Sequence, residues 1–95
     1  MNLQEIWDKH SDDEFLQFER VQNKLSIRPD IHAFMLLDKL APRARDMVSA
    51  AEHDEIWLDI EPEELEKVAT EEQIVELIRC GVRLDSGTSS LAMFV

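Results

Sequence analysis

The chain has few of the residues that make disulfides or nucleotide-binding loops. Its 95 residues include one cysteine and two glycines. Cys80 alone cannot form an internal disulfide, which favours a reducing, cytoplasmic setting. Neither glycine lies in a dinucleotide-binding, Walker or GxSxG pattern. The first ten residues, MNLQEIWDKH, lack the basic start and apolar run of a secretory signal. We therefore expect a cytoplasmic protein.

Long apolar runs are also missing. No stretch approaches the roughly 20 apolar residues that cross a bilayer, and an acidic chain is repelled by anionic headgroups. We therefore expect no membrane partner. Even so, 44% of the residues are hydrophobic and only three are proline, which is typical of a folded protein. Because a chain of this length holds one core, we predict a single compact domain over residues 1–95.

Cations are scarce, with ten Lys and Arg against 21 Asp and Glu and a net charge of −11. Duplex affinity comes largely from cations that neutralise phosphates, so direct binding of nucleic acid is not expected. The cations cluster between Arg20 and Arg45, where six of them accompany two Asp. We interpret this stretch as offsetting the acidic surfaces, within one molecule or across a dimer, rather than as a phosphate site.

The carboxylates are concentrated in one segment. From Glu52 to Glu76, eleven Asp and Glu accompany a single Lys or Arg, Lys67. The segment overlaps clear helix and strand signals, which favours a folded acidic surface over a disordered tail. An acidic helical face can also serve solubility alone, and that alternative stays open. The candidate partner-binding residues in this segment are Asp59, Glu61, Glu63, Glu64, Glu66, Glu71, Glu72 and Glu76.

Helix signals occupy the first forty residues. Asn2 with Glu5, and Ser11 with Glu14, have the spacing of capping boxes. They predict a short helix and then a second helix over 11–22. A proline at position 29 fits the start of a third helix, over 29–40. This third helix is apolar around most of its circumference, so we predict that it is the central helix of the core.

The second half of the sequence alternates strand and helix signals. DMVSAA and IWLDI flank the polar EHDE and predict a β-hairpin, although DMVSAA is also compatible with helix. Pro62 starts a helix, Thr70 with Gln73 caps the next, and Gly81 ends it. VRLD, SGTSS and LAMFV predict strand, turn and strand. The fold class is therefore α+β, with N-terminal helices packed on a small antiparallel sheet and a helical pair between two hairpins.

Residues that could carry chemistry are few and far apart. His10, His32 and His53 are more than twenty residues from one another, so no pair has the helical spacing of many metal sites. Cys80 has no CxxC partner, and near a helix end we predict a buried, unreactive thiol. SGTSS is interpreted as a hairpin turn. We expect no metal, no cofactor and no enzymatic activity.

The EHDE string is the one polar cluster that could hold a general base or a cation. It comprises Glu52, His53, Asp54 and Glu55 at the predicted hairpin tip. A solvated turn is the favoured interpretation, because Asp readily satisfies the backbone of its own turn. An EF-hand is excluded, because the alternating acidic ligands and central glycine of that loop are missing.

Three segments carry a resemblance: AAEHDEIWLDI, EEQIVELIRCGVRLD and the terminal LAMFV. Together they resemble small acidic proteins from phages and prophages. The resemblance implies a protein that acts by binding a host protein, in some cases by presenting carboxylates where DNA phosphates would lie. It implies no role for individual residues.

Three hypotheses follow. The first is a non-enzymatic interaction module whose acidic surface docks on a basic site of another protein. The second is a small homo-oligomeric accessory protein that assembles through its terminal strand or through exposed parts of Trp7, Trp57 and Phe94. The third is a metal-assisted enzyme that uses His53, Asp54 and Glu55.

Overall fold

The computed structural model describes residues 3–42, 47–52, 54–85 and 90–94. In these residues it has four α-helices, a short 3-10 helix at Phe18–Arg20 and a four-stranded antiparallel sheet. The α+β fold class is thus confirmed, and the helical pair does separate two hairpins. The elements are α1 (Leu3–Glu14), α2 (Pro29–Leu40), β1 (Val48–Glu52), β2 (Glu55–Leu58), α3 (Pro62–Val68), α4 (Glu71–Arg79), β3 (Val82–Asp85) and β4 (Ser90–Phe94).

The terminal strand lies inside the sheet. The strand order is β1-β2-β4-β3, so β4 pairs with β2 on one side and with β3 on the other. Assembly by edge pairing through the last strand would require that strand to lie at a sheet edge, and β4 does not. The reason is that α3 and α4 return the chain to β2, and the second hairpin docks there through its later strand. The outermost described strands are β1 and β3.

Alternation along the strands gives the sheet a buried and an outer face. Leu58, Leu91 and Met93 are buried on the inner face, against the helices. On the outer face, Trp57 is half-buried and Phe94 is 55% exposed. Of the aromatic residues proposed as assembly contacts, these two retain exposed surface.

The N-terminal segment forms one helix, α1, where the sequence predicted two. Ser11 was expected to cap a new helix, but its hydroxyl donates to the carbonyl of Trp7, four residues earlier in the same helix. The first helix therefore continues through Ser11 and ends at Glu14. Leu16 then takes a positive φ of 63°, and its N–H donates to the Ile78 carbonyl at 3.2 Å. The predicted second helix shrinks to the 3-10 helix at Phe18–Arg20.

The third predicted helix has the predicted bounds, but it is not central. As α2 it buries one side, while Ile31 and Met35 are 41% and 47% exposed. The central helix is α4, in which Ile74, Leu77 and Ile78 are fully buried. Helix α4 packs mainly against α1. The prediction was wrong because α2 has apolar side chains around most of its circumference, whereas neighbouring elements cover only one side of it.

Both ends of α4 are set by the predicted signals. The Thr70 hydroxyl accepts the Gln73 N–H at 3.2 Å, and the Gln73 side chain accepts the Thr70 N–H at 2.9 Å. This capping box begins the helix. Gly81 follows the helix with φ of 96°, a conformation that L side chains rarely adopt. None of the described helices is long and apolar enough to cross a membrane.

Candidate functional site

Four of the eight candidate carboxylates are exposed, and we call them the acidic surface: Glu61, Glu63, Glu64 and Glu72. Three of these flank the start of α3, and the fourth lies in the first turn of α4. Carboxylates at a helix N-terminus suit the positive end of the helix dipole. Among the described residues, Glu61, Glu63 and Glu72 have no hydrogen-bond or ion-pair partner for their side chains. Their carboxylates therefore face solvent, and no Lys or Arg of the described residues lies within ion-pair distance of them.

The other four candidates are partly covered: Asp59, Glu66, Glu71 and Glu76. Asp59 follows β2, and its N–H donates to the Met47 carbonyl at 2.5 Å. Glu66 accepts the backbone N–H of Leu3 at 2.6 Å. That contact lets a carboxylate of α3 cap the first turn of α1, where the helix has unpaired N–H groups. The structure thus divides the predicted surface into an exposed part and a part that holds the fold together.

Glu71 ties the start of α4 to α1. Its Oε2 lies 2.8 Å from His10 Nε2 and 3.4 Å from Lys9 Nζ. The hydrogen bond with His10, followed by the charge of Lys9, holds the pKa of Glu71 below its usual range. This carboxylate is therefore ionised and engaged within the molecule.

Glu76 approaches a buried histidine. His32 is 1% exposed, and its Nδ1 accepts the N–H of Leu25 at 3.0 Å. The proton of a neutral ring must then sit on Nε2. Nε2 is 3.4 Å from Glu76 Oε1 but has no properly directed hydrogen bond among the described residues. We regard this contact as electrostatic, because the distance is short enough for attraction while the direction is wrong for a hydrogen bond.

The buried carboxylate at Glu14 was not predicted from the sequence. This residue is 8% exposed at the end of α1 and binds two arginines. Arg79 donates to its Oε2 at 2.8 and 2.5 Å, and Arg20 donates to its Oε1 at 2.5 Å. The Arg79 hydrogen bonds lower the pKa of Glu14 most, burial opposes them, and Arg20 lowers it further. Because these arginines are 6 and 65 residues away in sequence, only the fold reveals the cluster.

Replacing Glu14 by Gln is expected to remove a source of stability that depends on pH. A carboxyl whose pKa is lowered by folding stabilises the folded state at pH values above its unfolded pKa of about 4.3. This contribution is lost as the pH falls through the pKa of the folded state. Urea unfolding at stepwise lower pH should give a clearly smaller free energy of unfolding for E14Q than for the wild type near neutral pH. The difference between the two free energies should shrink under acid conditions. The exposed Glu19→Gln is the matched control. A gap that stays constant down to about pH 3 would contradict the expectation.

An open cleft of about 850 Å³ lies beside this cluster. Its lining includes Glu14 and Arg79 from the buried cluster, together with His10, Glu72 and Glu76. Carboxylates outnumber cations along these walls, which extends the negative charge of the acidic surface towards α1. The cleft therefore suits a cationic side chain better than an anion.

The EHDE cluster is only partly described, because His53 lies outside the described residues. Glu52 and Glu55 are paired across the hairpin, and Glu52 and Asp54 are exposed. Glu55 accepts a hydrogen bond from Arg83, whose guanidinium lies 4.3 Å from the centre of the Phe94 ring. Glu55 is therefore held by an arginine on the outer face of the sheet. The predicted turn SGTSS includes residues 86–89, which are also outside the described set.

Cys80 has the predicted character of a buried thiol. It is 2% exposed, and burial, followed by the charge of Glu76, raises its pKa to about 12. A thiol with such a pKa is protonated at neutral pH and is a poor nucleophile. Across the part of the chain that the structure describes, no three His, Cys, Asp or Glu side chains are grouped so that they could hold a metal ion.

Comparison with known proteins gives no match: no protein-family model, no curated protein and no solved structure is similar to this chain.

Proposed function

We propose that the protein is a non-enzymatic interaction module whose acidic surface docks on a basic site of another protein. The observation that carries the proposal is the exposure of Glu61, Glu63 and Glu72 without partners among the described residues. Nearby carboxylates, Glu66 and Glu71, are engaged within the molecule. The exposed charges are thus available to a partner, and the engaged ones support the helices that carry them.

Rigid presentation is the physical basis of this proposal. Helix α3 is held through Leu65, which is fully buried, and through the contact between Glu66 and the start of α1. Helix α4 is held by its capping box and its buried stripe. Charges fixed on anchored helices lose less side-chain and backbone freedom on binding than charges on a mobile tail. Such an arrangement also directs a basic partner through long-range attraction.

A phage-type inhibitor of a host protein is the specific form that we propose, with nucleic-acid mimicry as its mechanism. Carboxylates spaced along α3 and the start of α4 would occupy the sites at which the partner binds phosphates. The mechanism accounts for a chain that is too acidic to bind nucleic acid itself yet concentrates its charge on an ordered surface. It needs no catalytic residue and no cofactor.

The test compares two variants that lose the same charge. E61Q/E63Q/E72Q neutralises three residues of the acidic surface, and D12N/D13N/E19Q neutralises three exposed carboxylates elsewhere. Each protein is immobilised and used to capture binding proteins from a host lysate at about 50 mM and about 500 mM salt, where screening differs strongly. Captured proteins are identified and their affinities measured.

We expect a partner with a basic surface whose affinity falls at least tenfold at the higher salt concentration and at least tenfold in E61Q/E63Q/E72Q, or about 1.4 kcal/mol. The control variant should retain most of the affinity. Competition by duplex DNA would support mimicry. An affinity that changes neither with salt concentration nor in E61Q/E63Q/E72Q would refute the proposal.

A further inference from the structure

The outer side of α2 exposes apolar surface that none of the described residues covers. Seven large hydrophobic side chains are exposed among the described residues, and four of them lie between residues 25 and 35. Ile27 is 90% exposed, Met35 47% and Ile31 41%. Scattered exposed apolar residues are ordinary in proteins, whereas a contiguous patch marks an interaction surface. The concentration in one segment makes this a patch.

Ile31 and Met35 form a stripe because they are one helical turn apart on α2. Ile27 lies in the non-helical segment just before the helix and adds exposed apolar surface there. We call Ile31 and Met35 the α2 stripe. The opposite side of the helix carries the buried His32, Ala33, Leu36 and Leu37. The stripe therefore points away from the core.

We propose that the α2 stripe is a homodimer interface in which the α2 helices of two copies pack antiparallel. This surface differs from the terminal strand and from the aromatic side chains considered from the sequence. An isologous contact needs a patch that complements itself. Here the two faces of the interface would be identical apolar stripes, with Ile31 of one copy opposite Met35 of the other.

Charges at the ends of the stripe fit this arrangement. The register that sets Ile31 opposite Met35 also sets Arg28 opposite Asp38, twice by symmetry. Both residues are exposed. Arg28 already pairs with Asp30 at 3.0 Å, so its guanidinium is held at the start of α2, close to where the second copy would bring Asp38.

The distribution of charge favours a second copy on this face. Each molecule carries a net charge of −11, so two copies repel one another overall. The segment over 20–40 is the exception, since it holds four Lys and Arg against Asp30, Asp38 and no other carboxylate. Contact through α2 brings the copies together where they repel least and leaves the acidic surface free for another partner.

Salt separates this inference from the proposed function. Added salt screens the repulsion between two acidic molecules and strengthens apolar association, so dimerisation should increase. Docking of the acidic surface on a basic partner should decrease under the same change. One proposal can therefore fail while the other holds.

Sedimentation equilibrium over protein concentrations up to about 1 mM, at about 50 and about 500 mM salt, gives the dimer dissociation constant. We expect a dimer in the wild type that is tighter at high salt. Ile31→Asp should weaken it at least tenfold, because it places an unpaired charge in an apolar contact. Val68→Asp is the matched control, since Val68 is 51% exposed on α3, away from the stripe. It should leave the constant unchanged. Circular dichroism checks that both variants are folded.

Charge reversal tests the antiparallel register at low salt. Arg28→Asp alone and Asp38→Arg alone each place like charges opposite one another and should weaken the dimer severalfold. The double variant R28D/D38R should restore it. A wild type that is monomeric up to about 1 mM at high salt would overturn the proposal. A dimer whose dissociation constant does not change in Ile31→Asp would overturn it as well. If the double variant dimerises no more tightly than the single variants, the antiparallel register is wrong.

Discussion

Replacing Trp7 by alanine is expected to lower the free energy of unfolding by about 3–5 kcal/mol, a large part of the roughly 5–15 kcal/mol of a typical domain. Trp7 is 4% exposed in α1, and its Nε1 donates to the Val82 carbonyl at 3.2 Å. The side chain thus joins the first helix to strand β3, 75 residues later. Its removal leaves a cavity and an unpaired carbonyl.

The chain offers a matched control, because its only other tryptophan is Trp57. Trp57 is half-buried on the outer face of the sheet, and its Nε1 donates to Asp85 at 2.9 Å. Urea unfolding followed by circular dichroism should show a clearly smaller loss for Trp57→Ala. Trp7→Phe should retain most of the packing and lose about 1 kcal/mol for the hydrogen bond. Equal losses for W7A and W57A would contradict the assigned position of α1.

Leu77→Ala is expected to cost about 2–5 kcal/mol, because the residue is fully buried on the central helix. Helix α4 contacts α1, α2, β3 and the 3-10 helix, so a cavity at its centre has little freedom to collapse. The cost should therefore fall in the upper half of that range.

Chemical denaturation measures the Leu77→Ala effect directly. Val68→Ala, which shortens a half-exposed aliphatic side chain on α3, is the control and should cost less than about 1 kcal/mol. A loss in Leu77→Ala no larger than that of the control would show that α4 is not the central helix. If the sequence-based prediction for α2 were right instead, Leu37→Ala would be the more damaging substitution.

The engaged carboxylates explain how so acidic a chain can hold its helices together. Glu14, Glu66 and Glu71 each contact a cation or a free helix N–H from another element. Around the start of α3 and in the first turn of α4, Glu61, Glu63 and Glu72 have no side-chain partner among the described residues. The proposed docking surface is therefore smaller than the eight residues expected from the sequence, and Glu61, Glu63 and Glu72 are its best test.

Local signals predicted well wherever the determining contact lies within a few residues. The Thr70–Gln73 capping box, Pro62 at the start of α3 and Gly81 after α4 all perform as expected. Ser11 shows the limit of such signals, because its hydroxyl has a second acceptor in the preceding helical turn, at Trp7. A capping pattern cannot tell which of the two a serine will use.

The amino-acid order alone determined the fold class, the bounds of α2, the hairpins and the segment that carries most of the negative charge, because each depends on periodicity or on neighbours in the chain. The tertiary structure decided which helix is central, that β4 lies between β2 and β3, and which of the candidate glutamates are exposed. Those outcomes depend on contacts between distant residues such as Glu14 and Arg79, for which the chain carries no local signal. Burial and charge pairing depend on which helices and strands pack against one another, and that packing brings together residues that are distant in the sequence.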